Sequence, residues 1–283
     1  MTDLRARVLL NLALIALGIG LAALIWLDPW RQEPPPAERL SAIDPGAVNR
    51  LRIERPNQAP IALERAGPGW RLRSPISLPA NPYRVAALLG VASAPVHDAF
   101  RAEGNDLRRF GLDPPKVRLF LNQHEFRFGD AEPLRGFRYV HYGPDVHLVG
   151  DTFYHHLLAT APAFVDPAPI GSDARAKSIT LSNATLRFKQ GRWHVDPAEP
   201  HLSAQAAERL AVSWSSARAT SVRAFDPGLD WSGEVLIRLD GQPEPLRFVV
   251  ARLPHQLVLG RPDRRVQYYF PMQAGLALLT LGD

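Results

Sequence analysis

The hydrophobic pattern divides the chain into one long apolar run and a series of short alternating segments. Val8 to Leu27 is apolar except for Asn11. About 20 residues at ~1.5 Å rise span the ~30 Å hydrocarbon core of a bilayer, so the run predicts one membrane-spanning helix over 8–27. Arg5 and Arg7 precede it, and Trp26 and Trp30 fall where a headgroup layer would lie. The positive flank places residues 1–7 in the cytoplasm and everything after Leu27 across the membrane. A cleaved signal peptide is the competing reading, with Gly20-Leu21-Ala22 as its small-x-small site, although the apolar run continues through Leu24, Ile25, Trp26 and Leu27. Ala16 and Gly20 are small residues four apart, spaced for close packing against a second helix.

Residues 28–45 contain Pro34-Pro35-Pro36 and read as an extended, semi-rigid stalk. Beyond it the period changes to two. Val48–Ile53, Ile61–Glu64 and Gly69–Arg73 predict short strands. Asn81 and Pro82 then open a helix as N-cap and first-turn residue. Val85, Leu88, Leu89 and Ala92 form its apolar face. After Phe100 and Gly111-Leu112-Asp113, strands are expected at Val117–Leu121 and Glu125–Phe128. Phe137–Tyr142 and Val146–Val149 flank a Gly143-Pro144-Asp145 turn, and Thr152 is expected to cap a short run through Leu158.

The same order recurs downstream. Ile179–Leu181, Thr185–Phe188 and Arg192–Val195 read as strands, and Ser203 as the cap of a helix with Ala207, Leu210, Ala211 and Trp214 on one face. Phe225, Gly228-Leu229-Asp230, Val235–Leu239 and Leu246–Val250 follow, then a hairpin of Leu257–Leu259 and Val266–Phe270. This predicts an α+β class chain: two tandem copies of an antiparallel sheet with a helix, residues 46–160 and 176–283, joined by a linker over 161–175.

Composition narrows the function classes. The 283 residues are 46% hydrophobic and 22% charged, enough to bury a core. Cysteine is absent, which excludes disulfides, thiolate nucleophiles, cysteine-ligated metals and a lipoprotein anchor. The net charge of +5 comes from arginines scattered singly through the segments, unlike the gathered face of a nucleic-acid binder.

Candidate chemistry is sparse. Gly111, Leu112 and Asp113, with Gly228, Leu229 and Asp230, read as turns in which the glycine takes an unusual backbone angle and the aspartate accepts backbone N–H groups. A catalytic carboxylate pair made of Asp113 and Asp230 would require the two turns to face each other. His141, His147, His155 and His156 lie near Asp145 and Asp151, but no metal-site spacing occurs and hairpin-surface histidines are the simpler reading. The chain has no Gly-x-Ser-x-Gly elbow and no phosphate-binding loop. It is therefore read as a non-enzyme without catalytic residues, metal or cofactor. Phe137, Tyr139, Tyr142, Tyr268 and Tyr269 are the candidate interaction surface, aromatic beside arginine, although core or ordinary cross-strand packing is the favoured reading of them.

One pattern carries a family likeness. Gly69-Trp70-x-Leu72, the capped helix ending near Phe100, Phe110-Gly111-Leu112-Asp113-Pro114-Pro115, Gly129-Asp130, Phe137–Val140 and Val146–Val149 resemble the domain of unknown function 4340 family. The likeness covers most of residues 46–281 and is clearer in the first copy, since Trp231 stands where the first has Pro114. It implies an accessory protein of a gliding-motility-type ABC transporter. The expectation is a single-pass protein of a bacterial inner membrane, its bulk periplasmic. Its partners would be the bilayer and permease or ATPase subunits, not nucleic acid. The alternative is a binding module that takes an envelope polymer or lipid in the cleft between copies.

Overall fold

The computed structural model describes residues 12–23, 38–101, 106–171, 174–196 and 204–281. The chain separates into two compact units, Met1–Glu38 and Arg39–Asp283. In the first, residues 12–23 form helix α1, with Ala16 and Gly20 exposed. The remainder of the apolar run, 8–11 and 24–27, lies outside the described residues. Among the described residues no helix is long and apolar enough to cross a membrane.

The second unit is built from two antiparallel sheets. In its first half, β1 (Arg50–Glu54), β2 (Ile61–Ala66), β3 (Gly69–Ser74) and β4 (Leu78–Pro79) lead to helix α2 (Pro82–Gly90). Strand β5 (Val96–Arg101) and the single turn α3 (Asp106–Arg109) come next. Then follow β6 (Val117–Leu121), β7 (His124–Ala131), β8 (Phe137–Tyr142), β9 (Asp145–Gly150) and α4 (Tyr154–Leu157). The second half runs β10 (Ala176–Thr180), β11 (Thr185–Lys189), β12 (Arg192–Asp196), α5 (Ala204–Ser216) and β13 (Ser221–Ala224). It ends with β14 (Trp231–Leu239), β15 (Leu246–Arg252), β16 (Gln256–Arg261), β17 (Val266–Pro271) and α6 (Met272–Leu276).

The strand orders are β4-β3-β2-β1-β6-β7-β8-β9-β5 and β12-β11-β10-β14-β15-β16-β17-β13. With β4 set aside, the second order repeats the first strand for strand. In each half the chain enters at the middle, builds outward, crosses by a helix, and returns with a strand on the far edge.

Local sequence accounts for most of these elements. In β1, Leu51 and Ile53 are buried while Arg50 and Arg52 are exposed, the alternation of a sheet with one covered face. Helix α2 starts where expected: the Asn81 side chain accepts from the Tyr83 and Arg84 N–H groups, with Pro82 in the first turn. Val85 and Leu88 are its buried residues. Helix α5 buries Ala206, Ala207, Leu210, Ala211 and Trp214. The Ser203 cap lies outside the described residues.

Two expectations are corrected, and two edge strands are added. Thr152 does not cap: the turn Asp151–Phe153 and helix α4 begin without a side-chain hydrogen bond at their N-caps, Gly150 and Phe153. The edge strands β5 and β13 were not legible. The register of β5 shifts between Val96 and Asp98, which breaks the period of two, and β13 buries Val222 alone. Residues 161–175 are more than a linker. Phe164, Val165, Ala168 and Ile170 are buried, and Val165 bridges to Ala80. The Phe164 carbonyl accepts from Asn81 N at 2.8 Å and the Pro167 carbonyl from Ala219 N at 2.9 Å, so the segment is bonded to both halves.

One apolar core runs through both halves, joining Leu63, Leu88 and Phe126 to Phe164, Trp214 and Phe248. Trp214 is fully buried, stands 5.5 Å from the Phe248 ring, and donates Nε1–H to the Leu278 carbonyl at 2.9 Å. It ties α5 to the last turn of the chain. Replacing Trp214 by Ala is expected to cost about 3–5 kcal/mol through the cavity and the orphaned carbonyl. Val212→Ala on the exposed face of α5 should stay within about 0.5 kcal/mol. Urea unfolding of the two variants checks both.

Candidate functional site

A large concavity lies beside the segment that joins the halves. A groove of about 840 Å³ runs between β3 and α2, with Arg65, Trp70, Val85, Leu89 and Asp166 among its walls. Strand β3 places Trp70 half-buried on this side, and α2 supplies Val85 and Leu89. Arg65 lies 5.2 Å from the Trp70 ring centre and donates to the Gly46 and Val48 carbonyls at 3.2 Å. That side chain is held by backbone oxygens, and among the described residues no carboxylate forms an ion pair with it.

A smaller cavity of about 250 Å³ sits next to it, lined by Arg71, Asp166, Leu246, Arg261, Arg264 and Tyr268. It is walled by both sheets. Arg261 is buried and grips Asp263 with two hydrogen bonds, 3.2 and 2.7 Å. Arg264 reaches the same carboxylate at 3.4 Å. Tyr268 is 2% exposed, and burial pushes its phenol up to about 12, so it stays protonated. Asp166 anchors the joining segment: its backbone N–H donates to Pro79 at 2.8 Å and its carboxylate accepts from Ala168 N at 3.0 Å.

The aromatic candidates separate. Tyr268 and Tyr269 are buried, Tyr268 in the shared core and Tyr269 against Leu229 and Trp231. They are packing residues, because β17 is covered on both faces. Phe137, Tyr139 and Tyr142 are half-buried. Tyr142 stacks on Phe126 at 4.4 Å, and Tyr139 meets Phe110 at 4.5 Å. Phe137 stacks on His97 at 4.1 Å beneath Arg135, next to Leu134, which is 90% exposed. Leu134 was missed by sequence reasoning, since a lone leucine in a turn carries no periodic signal.

The Gly-Leu-Asp turns are structural, but by a different means from that expected. Gly111 has φ +66°, and a Cβ there would overlap the Asp130 carboxylate. A Cβ on Gly129 would overlap the Phe110 carbonyl oxygen, while Asp130 N donates to that same oxygen at 2.8 Å. The two glycines let the turn dock directly on β7. Leu112 is thereby buried with Val146, beneath Phe100, Phe110 and Tyr139, on the face of the sheet away from the main core. Leu229 serves similarly against Ala251, Val258 and Tyr269. Neither aspartate acts as expected: Asp113 is exposed and lies 3.7 Å from Arg108, and it is Asp226, not Asp230, that accepts from Gly228 N at 2.9 Å. Gly228 does not take a positive φ.

The histidines do not assemble a metal site: among the described residues no group of three or more His, Cys, Asp or Glu is placed to hold an ion. The His155 and His156 rings meet at 3.8 Å, tilted by 40°. His147 Nδ1 is buried without a hydrogen-bond partner. Burial, followed by the Arg127 charge, pushes the His141 pKa down. Burial and the neighbouring His155 do the same to His156. The Arg138–Asp151 ion pair of this region, with the arginine buried and the aspartate half-buried, is structural. Arg138 grips Asp151 at 2.5 and 2.9 Å, donates to the Gly129 carbonyl at 2.7 Å, and lies 3.3 Å from the Tyr154 ring centre.

A family model, Domain of unknown function (DUF4340), matches residues 70–226, from Trp70 on β3 to Asp226 just past β13. No curated protein and no solved structure matches the chain.

Two measurements follow from this geometry. Gly129→Ala is expected to cost about 1–3 kcal/mol by forcing Phe110 and Leu112 off β7, whereas Gly150→Ala, with open space around it, should be near neutral in the same urea titration. His141 and His156 have folded pKa values below the unfolded 6.5, so the unfolded chain binds more protons in that window and stability is lost as pH falls through 6.5. The melting temperature should be lower at pH 5.5 than at pH 7.5, and the His141→Asn, His156→Gln double variant should narrow the gap.

Proposed function

The chain belongs to the DUF4340 family, and from that membership we propose that it is a membrane-anchored, non-catalytic accessory protein of an envelope complex, in particular an ABC-type transport system. In this reading the apolar run 8–27 is a single-pass anchor with its N-terminus in the cytoplasm. The proline-rich stretch holds the two-sheet body off the bilayer on the periplasmic side. The repeated strand order reflects two tandem copies of one ancestral unit, and the permease or ATPase subunits supply the nucleotide chemistry.

The observation that carries this reading is the tip of the β7–β8 hairpin. Leu134 is 90% exposed beside Phe137, His97 and Arg135, on a turn pinned by Glu132, whose carboxylate accepts from Arg135 N at 2.7 Å and whose N–H donates to the Phe137 carbonyl at 2.6 Å. A rigid apolar tip bordered by an arginine and aromatic rings has the make-up of an interface centre.

The test is photo-cross-linking from the exposed position 133, next to Leu134, in native membranes, followed by mass spectrometry of what is captured. Transporter permease or ATPase subunits are the expected products, and Leu134→Asp should cut their recovery about tenfold without lowering the melting temperature. Capture of no protein other than a second copy of this chain would overturn the accessory role.

A further inference from the structure

The groove and the cavity adjoin: Arg71, Pro79, Asp166 and Gly171 belong to the walls of both. The two ends of this paired depression differ in chemistry. The larger end is floored by Trp70, Val85 and Leu89. The smaller end is lined by Arg71, Arg261, Arg264 and Tyr268. Arg261 and Arg264 share one carboxylate, Asp263, and no carboxylate among the described residues pairs with Arg71. Asp166 adds a second carboxylate to the wall, so three guanidinium groups stand against two carboxylates and the balance at this end is positive. The recess is partly shielded from water, where Coulomb attraction to an anion is stronger than at an open surface.

We propose that this depression binds a single-chain amphipathic anion: an acyl chain ending in a carboxylate or phosphate. The chain lies along Trp70, Val85 and Leu89, and the head meets Arg71 and Arg264. Planar guanidinium groups suit both head groups, since each offers paired N–H donors to two oxygens. The protonated Tyr268 phenol supplies an O–H donor there and not a competing negative charge. The larger end alone, at about 840 Å³, falls within the ~300–1,000 Å³ of small-molecule sites. The site belongs to the two-sheet body and stands whether or not the chain serves a transporter.

The experiment uses the full-length chain in amphipol and titrates 9,10-dibromostearate, whose bromines quench tryptophan fluorescence on contact. Saturable quenching is expected, with most of its amplitude lost in Trp70→Phe. The uncharged methyl ester should bind at least tenfold more weakly. Arg71→Gln and Arg264→Gln should each weaken the acid about tenfold. Should Arg71→Gln lower the melting temperature, the more exposed Arg264→Gln decides. Quenching unchanged in Trp70→Phe would put the chain elsewhere and overturn the proposal, as would equal binding of acid and ester. Inorganic phosphate raising the melting temperature as far as the acid does would show a plain anion site and remove the acyl chain.

Discussion

Phe164 and Val165 are buried where the two sheets share one apolar core, and the backbone around them is bonded to both halves. Most of the structure's consequences depend on that seam. A short stretch with prolines at 162, 167 and 169 forms few hydrogen bonds of its own, so its N–H and C=O groups must find partners elsewhere. It finds them in the Pro79–Asn81 bend on one side and in Ala219 on the other. The halves are thereby fixed against each other, and the residues at the fixing point become the walls of a groove and a cavity.

The repeated strand order raises the question of how each sheet treats its second face. A sheet with a helix on one side leaves the other to water unless something covers it. Here the Gly-Leu-Asp turn does so, laying Leu112 or Leu229 over the strands. The halves reach this by different packing. In the first, Gly111 and Gly129 permit backbone-to-backbone docking. In the second, Gly260 makes room for the stacked Phe225 and Trp231 rings, 5.0 Å apart. Function has room to differ between halves as well: the exposed Leu134 tip belongs to the first sheet, whereas the arginine-lined cavity draws on β16 and β17 of the second.

Much of this fold was legible beforehand. Asn81-Pro82 announced α2, and the spacing of Val85 and Leu88 gave its buried face. The aspartate-bearing turns, the hairpins and the twofold order of elements were also readable, because caps, turns and side-chain period act within a few residues. The edge strands β5 and β13 were not, since a bulge and a mostly exposed surface erase the alternation on which a strand is recognised. For Tyr268 and Tyr269 packing was the favoured reading and the structure bears it out, but a surface role stayed open for a related reason. Alternation sends one of them outward, but the outward face of β17 is covered by Leu229 and Trp231, which are remote in sequence.

The sequence by itself determined the family, the class of mixed helix and antiparallel sheet, and the absence of thiol chemistry. Each is written in local spacing or in composition. Tertiary structure decided the rest: which glycines must be glycine, which aromatics are buried, and where charge collects. Arg71, Arg261 and Arg264 are scattered arginines along the chain, and they line one cavity only because residues 161–171 draw β3 and β16 toward each other. Charge becomes a site when folding brings it together away from water, and that depends on contacts between distant residues.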